Sequence, residues 1–288
     1  MTSMRDPGVR AAEEIAQALV KNSRSSFYWA MRVLPPQKRM AMYAIYAFCR
    51  IVDDIADGQD SEPEKVSQLK FWRDELGRLY QGTPSEPVGL ALVQAVRTYG
   101  LEQQDFLRVI EGMERDARSR VRIADVADLE SYCDAVACSV GRLANRVFGV
   151  DRVTGHALAA ALGQALQLTN ILRDVAEDAA IDRLYVPRSL LLRHGIDSDV
   201  AADVIIHPEF PAACRDLAVT AQDYFKSADR LLGRNERSVM RPAVLMMQTY
   251  ARILRRLQKR GWGDIDRPVR LSRLEKFLIM VRYGWLSL

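Results

Sequence analysis

A chain of 288 residues, 49% hydrophobic and 27% charged, has the length and apolar content to bury one large core, which sets aside a disordered polar segment. The formal charge is only +4. No apolar run reaches the ~18 residues of a membrane span, and no recognised nucleic-acid motif accompanies the basic residues.

In chain order, the opening stretch MTSMRDPGVRAAEEIAQAL has no apolar signal core, which predicts a cytoplasmic chain. Good helix formers fill the long segments after it. They predict helices over 10–21, 36–57, 64–80, 88–99, 103–119, 127–147, 152–178, 211–232, 239–261 and 271–285. Shorter turns are expected over 188–194 and 197–203. Prolines and glycines gather between these segments, at 58–63, 81–87, 207–211 and 233–238 and in RLYVPRS from Arg183. No alternating strand pattern of useful length and no fixed-period repeat is found. The expectation is an all-α, single-domain helical bundle over residues 1–288. The cysteines Cys49, Cys133, Cys138 and Cys214 form no CxxC pair and read as buried free thiols in a reducing compartment. The three histidines share no ligand spacing, so zinc is not expected.

The last segments are basic. Ten Lys and Arg residues between Arg252 and Arg282 face three acids, a net +7. They form either a solvated helix face or a surface attracted to anionic lipid or a polyanionic substrate. The closing FLIMVRYGWLSL, broken by Arg282, is expected to dock on the core rather than to serve as an interfacial anchor.

Two acidic clusters carry most of the chemical information: RIVDDIAD from Arg50 to Asp57, and NILRDVAED from Asn170 to Asp178. Each ends an apolar helix with aspartates four residues apart, about one helical turn, so each pair can point one way. Aspartate is a poor helix-interior residue, and like charges at that spacing repel. Two such pairs therefore ask for a cation. Oxygen ligands suit Mg²⁺, which shares its shell with substrate phosphates. Arg50 and Arg173 add phosphate donors. The alternative is a pair of solvated helix ends with local Arg–Asp bridges. Neither GxxxxGK[ST] nor GxGxxG occurs, so metal and arginine would have to bind phosphate.

These segments resemble the squalene/phytoene synthase family. FYWAMRVLPPQKRMAMYAIYAFCRIVDDIAD (Phe27–Asp57) is similar to its first signature, and GQALQLTNILRDVAEDAAIDRLYVP (Gly163–Pro187) to its second. YCDAVACSVGRLANRVFG (Tyr132–Gly149) and RPAVLMMQTYARIL from Arg241 also match. The resemblance implies an isoprenoid-synthase bundle around a deep apolar tunnel. Two or three Mg²⁺ ions would bind with diphosphate on Asp53, Asp57, Asp174 and Asp178. It implies that Gln167 and Asn170 line the site and that Arg50 and Arg173 face diphosphate. Ser23, Ser25, Ser26 and Phe27 would form a diphosphate-binding turn, with Ser23 where several relatives carry His. Tyr46, Tyr132 and Tyr185 match tyrosines near the reacting carbons. Tyr132 is the candidate for proton handling or cation stabilisation; its other reading is a packed core tyrosine. Val140, Gly141 and the small residues Ala135, Ala137, Ser139 and Ala144 either let a helix pack closely or wall the tunnel.

The segments VAEDAAIDRLYVP, RLQKRGW and RPVRLSRLEKF most resemble the bacterial presqualene diphosphate synthases of hopanoid pathways. That implies condensation of two farnesyl diphosphates with Mg²⁺ and without NADPH. It also implies partners that finish squalene, and the basic C-terminal third together with insoluble products predicts weak, peripheral contact with an anionic membrane. Phytoene or dehydrosqualene synthesis, a complete NADPH-dependent squalene synthase and a non-catalytic assembly protein remain alternatives. A chain-elongating prenyl transferase would normally open its second motif with adjacent aspartates, unlike Asp174 to Asp178 here.

Overall fold

The computed structural model describes residues 7–22, 30–233 and 237–285, and is helical almost throughout. Helix α1 spans Pro7–Asn22, α2 Pro36–Asp57, α3 Glu62–Gln81, α4 Pro87–Tyr99 and α5 Gln103–Asp116. Proline at the first turn starts α2, α3 and α4, where its missing N–H costs nothing. A Ser61–Glu64 capping box adds to the start of α3, and left-handed Gly82 ends that helix.

Helix α6 (Val126–Cys133) runs through a π-helical turn, Asp134–Cys138, into α7 (Ser139–Phe148). The segment expected as one helix over 127–147 thus carries an extra-wide turn in its middle. Arg142 braces it. Its Nε donates to Asp105 on α5 at 2.6 Å and its Nη1 to Asp134 at 2.7 Å. Opposite, a Cβ added to Gly163 would lie 2.8 Å from the Cα of Cys138. Only glycine lets the next helix approach the π turn so closely.

That helix, α8 (Arg152–Arg173), is the central element. It packs against α7, the π turn, α12 (Phe210–Leu232) and α13 (Arg237–Arg260). The expected helix over 152–178 is broken at Asp174, where φ is −102° and ψ 14°, and resumes as α9 (Val175–Ala180). The buried indole of Trp262 donates to the Leu172 carbonyl at 2.8 Å, beside this break. Short helices α10 (Arg188–Arg193) and α11 (Ala201–Ile205) precede α12. Helix α14 (Arg273–Met280) and a π-helical turn, Val281–Trp285, follow α13.

Two further departures bear on the site. Helix α5 stops at Asp116, three residues before the expected end. The next residues form β1 (Val121–Arg122), which pairs in parallel with β2 (Arg183–Leu184). These two-residue strands were not expected, being too short for any alternation to show. Before β2, Asp182 takes φ +57°, and Arg122 Nη1 donates to its carbonyl at 2.6 Å. The turn aims Arg183 inward. The buried apolar residues of the described elements join into a single core cluster.

Candidate active site

The first acidic cluster lies on the last two turns of α2. Arg50 donates to Asp53 at 2.9 Å and bridges Asp54 at 2.5 Å. Burial, and next the Asp57 charge, push the Asp53 carboxyl up to about 6 against the pull of Arg50. Asp57 is held from elsewhere. Arg183 Nη1 donates to its Oδ1 at 2.7 Å, while Nη2 donates to the Ala56 carbonyl at 3.1 Å and the Asp116 carbonyl at 2.8 Å.

The second cluster sits at the α8–α9 junction. Arg173 grips Asp174 with two bonds of 2.7 and 2.6 Å. The turn survives the break, because Asp178 N donates to the Asp174 carbonyl at 2.8 Å. Burial, then the Asp174 charge, push the Asp178 carboxyl up to about 8, with Arg183 opposing. Asp57 and Asp116 also act on Asp178, so the two motifs face each other across one electrostatic field.

Asp116 and Arg183, which the motif reading missed, sit between them. Asp116 is 6% exposed and accepts from Tyr132 at 2.9 Å and Tyr185 at 2.6 Å. The two rings stack with centroids 4.9 Å apart, and the Arg115 guanidinium lies 5.5 Å from the Tyr132 ring centre. Burial pushes Asp116 up to about 6, although the Tyr185 bond and the Arg183 charge favour its ionised form. Burial also lifts the Tyr132 phenol well above its ordinary value. No spacing rule reveals this cluster. The only local signals were a lone Asp at a helix end and the Arg in the RLYVPRS loop.

Beside the carboxylates opens a cavity of about 330 Å³. Asp53, Tyr46, Gln167, Asn170 and Tyr250 give its wall polar groups. Most of the rest is apolar, including Val136, Ala137, Val140, Gly141 and Ala144 from the π turn and α7, with Phe148 and Leu158. The small-residue stretch therefore does both jobs assigned to it. A Cβ added to Gly141 would lie 3.1 Å from that of Ala159, a close-packing position, and Ala137, Val140, Gly141 and Ala144 form wall. Ala135 and Ser139 are buried off the cavity lining. Tyr46 lines the cavity. Tyr132 and Tyr185 are not on its wall; both donate to Asp116. The expected turn of Ser23, Ser25, Ser26 and Phe27 lies outside the described residues.

Among the described residues, no three His, Cys, Asp or Glu side chains gather closely enough to ligate one ion. Arginines hold the candidate ligands instead: Arg50 on Asp53, Arg173 on Asp174 and Arg183 on Asp57. The donor set nonetheless suits a hard cation. Its atoms are all oxygens, and burial and neighbouring carboxylates push Asp53 and Asp178 up despite the opposing charges of Arg50 and Arg183. Asn170 Oδ1, on the cavity wall, is buried without a hydrogen-bond partner.

Residues 20–275 match the model of the squalene/phytoene synthase family. A presqualene diphosphate synthase from Rhodopseudomonas palustris is 44% identical over 261 residues, covering 90% of this chain and 93% of that protein. A 15-cis-phytoene synthase from Synechococcus elongatus is 32% identical over 256 residues, covering 85% of this chain and 82% of that one. Among solved structures, a dehydrosqualene synthase in complex with ligand superposes with a TM-score of 0.83 at 25% identity, covering 96% of both chains.

Proposed function

The chain belongs to the squalene/phytoene synthase family, and on that premise we propose that it joins two farnesyl diphosphates head to head, giving presqualene diphosphate and diphosphate. The carrying observation is the pairing of the carboxylate field with an apolar cavity, which suits a substrate with a polyanionic head and a hydrocarbon tail. The product assignment follows the 44% identity to a presqualene diphosphate synthase against 32% to a phytoene synthase. Residues 1–288 act in this reading as one domain.

Asp53, Asp57, Asp174 and Asp178, with Asn170, would hold Mg²⁺. Bound there, the metal supplies positive charge for the departing diphosphate. Arg50 and Arg173, paired with Asp53 and Asp174, would supply donors to phosphate if a cation shared those aspartates. Val136, Ala137, Val140, Gly141 and Ala144 keep water from the allylic cation left when the C–O bond to diphosphate breaks, and the double bond of the second substrate attacks that cation. Cyclopropane closure releases a proton. The Tyr132–Asp116–Tyr185 cluster, which shares buried protons, is the proposed proton-handling unit, with Tyr46 on the cavity wall. NADPH takes no part. The enzyme works in the cytoplasm, peripherally on an anionic membrane, in series with squalene-forming partners.

Product analysis tests this reading. Purified chain with farnesyl diphosphate and Mg²⁺ should give presqualene diphosphate, unchanged in rate or identity by NADPH. Squalene formed only with NADPH, or dehydrosqualene formed without it, would overturn the product assignment.

A further inference from the structure

Among the described residues, nothing covers one face of helix α14. Leu274, Phe277 and Leu278, at positions i, i+3 and i+4, are 65%, 49% and 52% exposed, whereas Ile279 and Met280 are buried. The expectation of a core-docking terminal helix thus holds for one side only. The outward face is fixed in place. Arg256, on α13, bonds the Glu275 carboxylate and donates to the Arg270 carbonyl at 2.7 Å. A capping box of Ser272 and Glu275 sets the start of α14.

The surroundings are basic. Arg273 and Arg282 are exposed and flank the apolar stripe on either side of the helix. Arg255, Lys259, Arg267 and Arg270 are exposed nearby. A second cavity, of about 630 Å³, adjoins the helix. Arg270, Leu271 and Lys276 line one part of it, and Arg173, Asp174 and Glu177 another.

We propose that α14 docks the protein on an anionic lipid surface, with Leu274, Phe277 and Leu278 in the headgroup–acyl boundary and Arg273 and Arg282 on lipid phosphates. A narrow apolar stripe between arginines is the pattern of a helix lying in a membrane interface. A second copy of the chain is a poorer occupant, because face-to-face packing would bring these arginines against one another. Docking sets the second cavity, and the Arg173–Asp174 pair on its wall, beside the bilayer. The docking surface deepens the membrane contact of the proposed function, and linking that cavity to a prenyl product rests on the proposed condensation.

The test is sedimentation of the full chain with vesicles, read as bound protein and not as turnover. One set is phosphatidylcholine alone; the other contains about one-third anionic phosphatidylglycerol. Binding should favour the anionic vesicles and weaken with salt. Leu274→Ser with Phe277→Ser should lower it at least about tenfold, with melting temperature and detergent-assayed activity kept. Arg273→Gln with Arg282→Gln should cost about fivefold per charge on anionic vesicles and nothing on neutral ones. Equal binding to both vesicle types, or parental binding by the serine variant, would overturn the proposal. So would a parental dimer that the serine variant converts to monomer, which would assign the stripe to a second copy. Absence of presqualene diphosphate from the activity assay would leave the vesicle result standing.

Discussion

Gly163→Ala should loosen the junction on which the second acidic motif is mounted. The added methyl would stand 2.7 Å from Cys138 Sγ and 2.8 Å from its Cα and backbone N. The sulfur could rotate away, but the backbone atoms belong to the π turn that Arg142 anchors through Asp134. Restoring an ordinary contact requires α8 and the π turn to part by roughly 0.6 Å in a closely packed interior. Overpacking of this kind costs about 1–3 kcal/mol, while alanine in place of helical glycine returns about 1 kcal/mol. Contacts with backbone put this site at the upper end, for a net loss of about 2 kcal/mol and a fall in melting temperature of roughly 5 °C. Because α8 also carries Gln167 and Asn170 and leads directly into Asp174, turnover should fall with stability. Gly77→Ala is the control: nothing lies within 4 Å of the new Cβ, so it should gain about 1 kcal/mol. Thermal melts under reducing conditions, with initial rates, decide the matter. A Gly163→Ala protein as stable as its parent, or stabilised like the control, would refute the close-approach argument.

Asp53→Ala and Asp174→Ala should each lower turnover by at least about 10²-fold with circular dichroism unchanged; parental rates at saturating Mg²⁺ would remove these residues from the proposed site. Asp178→Asn should raise the stability of metal-free protein by about 1 kcal/mol, since burial and Asp174 disfavour the charged carboxylate; a lower melting temperature would contradict that. Asp116→Asn tests linkage. Its folded value of about 6 lies above the ordinary 3.8, so the parent keeps this contribution below pH 4 and loses it as pH rises through 6. Urea melts should show the parent's stability relative to the variant's falling by about 3 kcal/mol between pH 4 and 7; a flat difference would sink the assignment.

The acidic motif of α2 was legible because everything that defines it is local. Prolines mark the helix start, apolar residues fill its buried face, and the aspartates recur one turn apart. The break at Asp174 was hidden, because Asn170–Asp174 and Asp174–Asp178 backbone bonds preserve helical spacing through the kink. The π turn was equally hidden, since it depends on Arg142 and on Gly163, neither of which leaves a mark in residues 134–138. Tyr132 drew notice through its motif, but its partner Asp116 lies 16 residues away in sequence and Tyr185 a further 53, so no periodicity links them. The terminal helix was half legible. Its apolar residues pointed to docking on the core, which holds for Ile279 and Met280, without showing that Leu274, Phe277 and Leu278 face outward.

The three hydrogen bonds of Arg183 have a consequence for biosynthesis. They reach back 126, 127 and 67 residues, to Asp57, Ala56 and Asp116. A nascent chain must therefore extend past residue 183 before the first acidic cluster gains the arginine that ties it to the second. Helices α2 to α5 can form from local contacts while still on the ribosome, yet the carboxylates they carry stay without this partner until β2 returns beside β1. Closing so long a loop is costly in chain entropy and slow relative to helix formation. Site assembly is accordingly a late event in folding, coupled to that two-residue ladder.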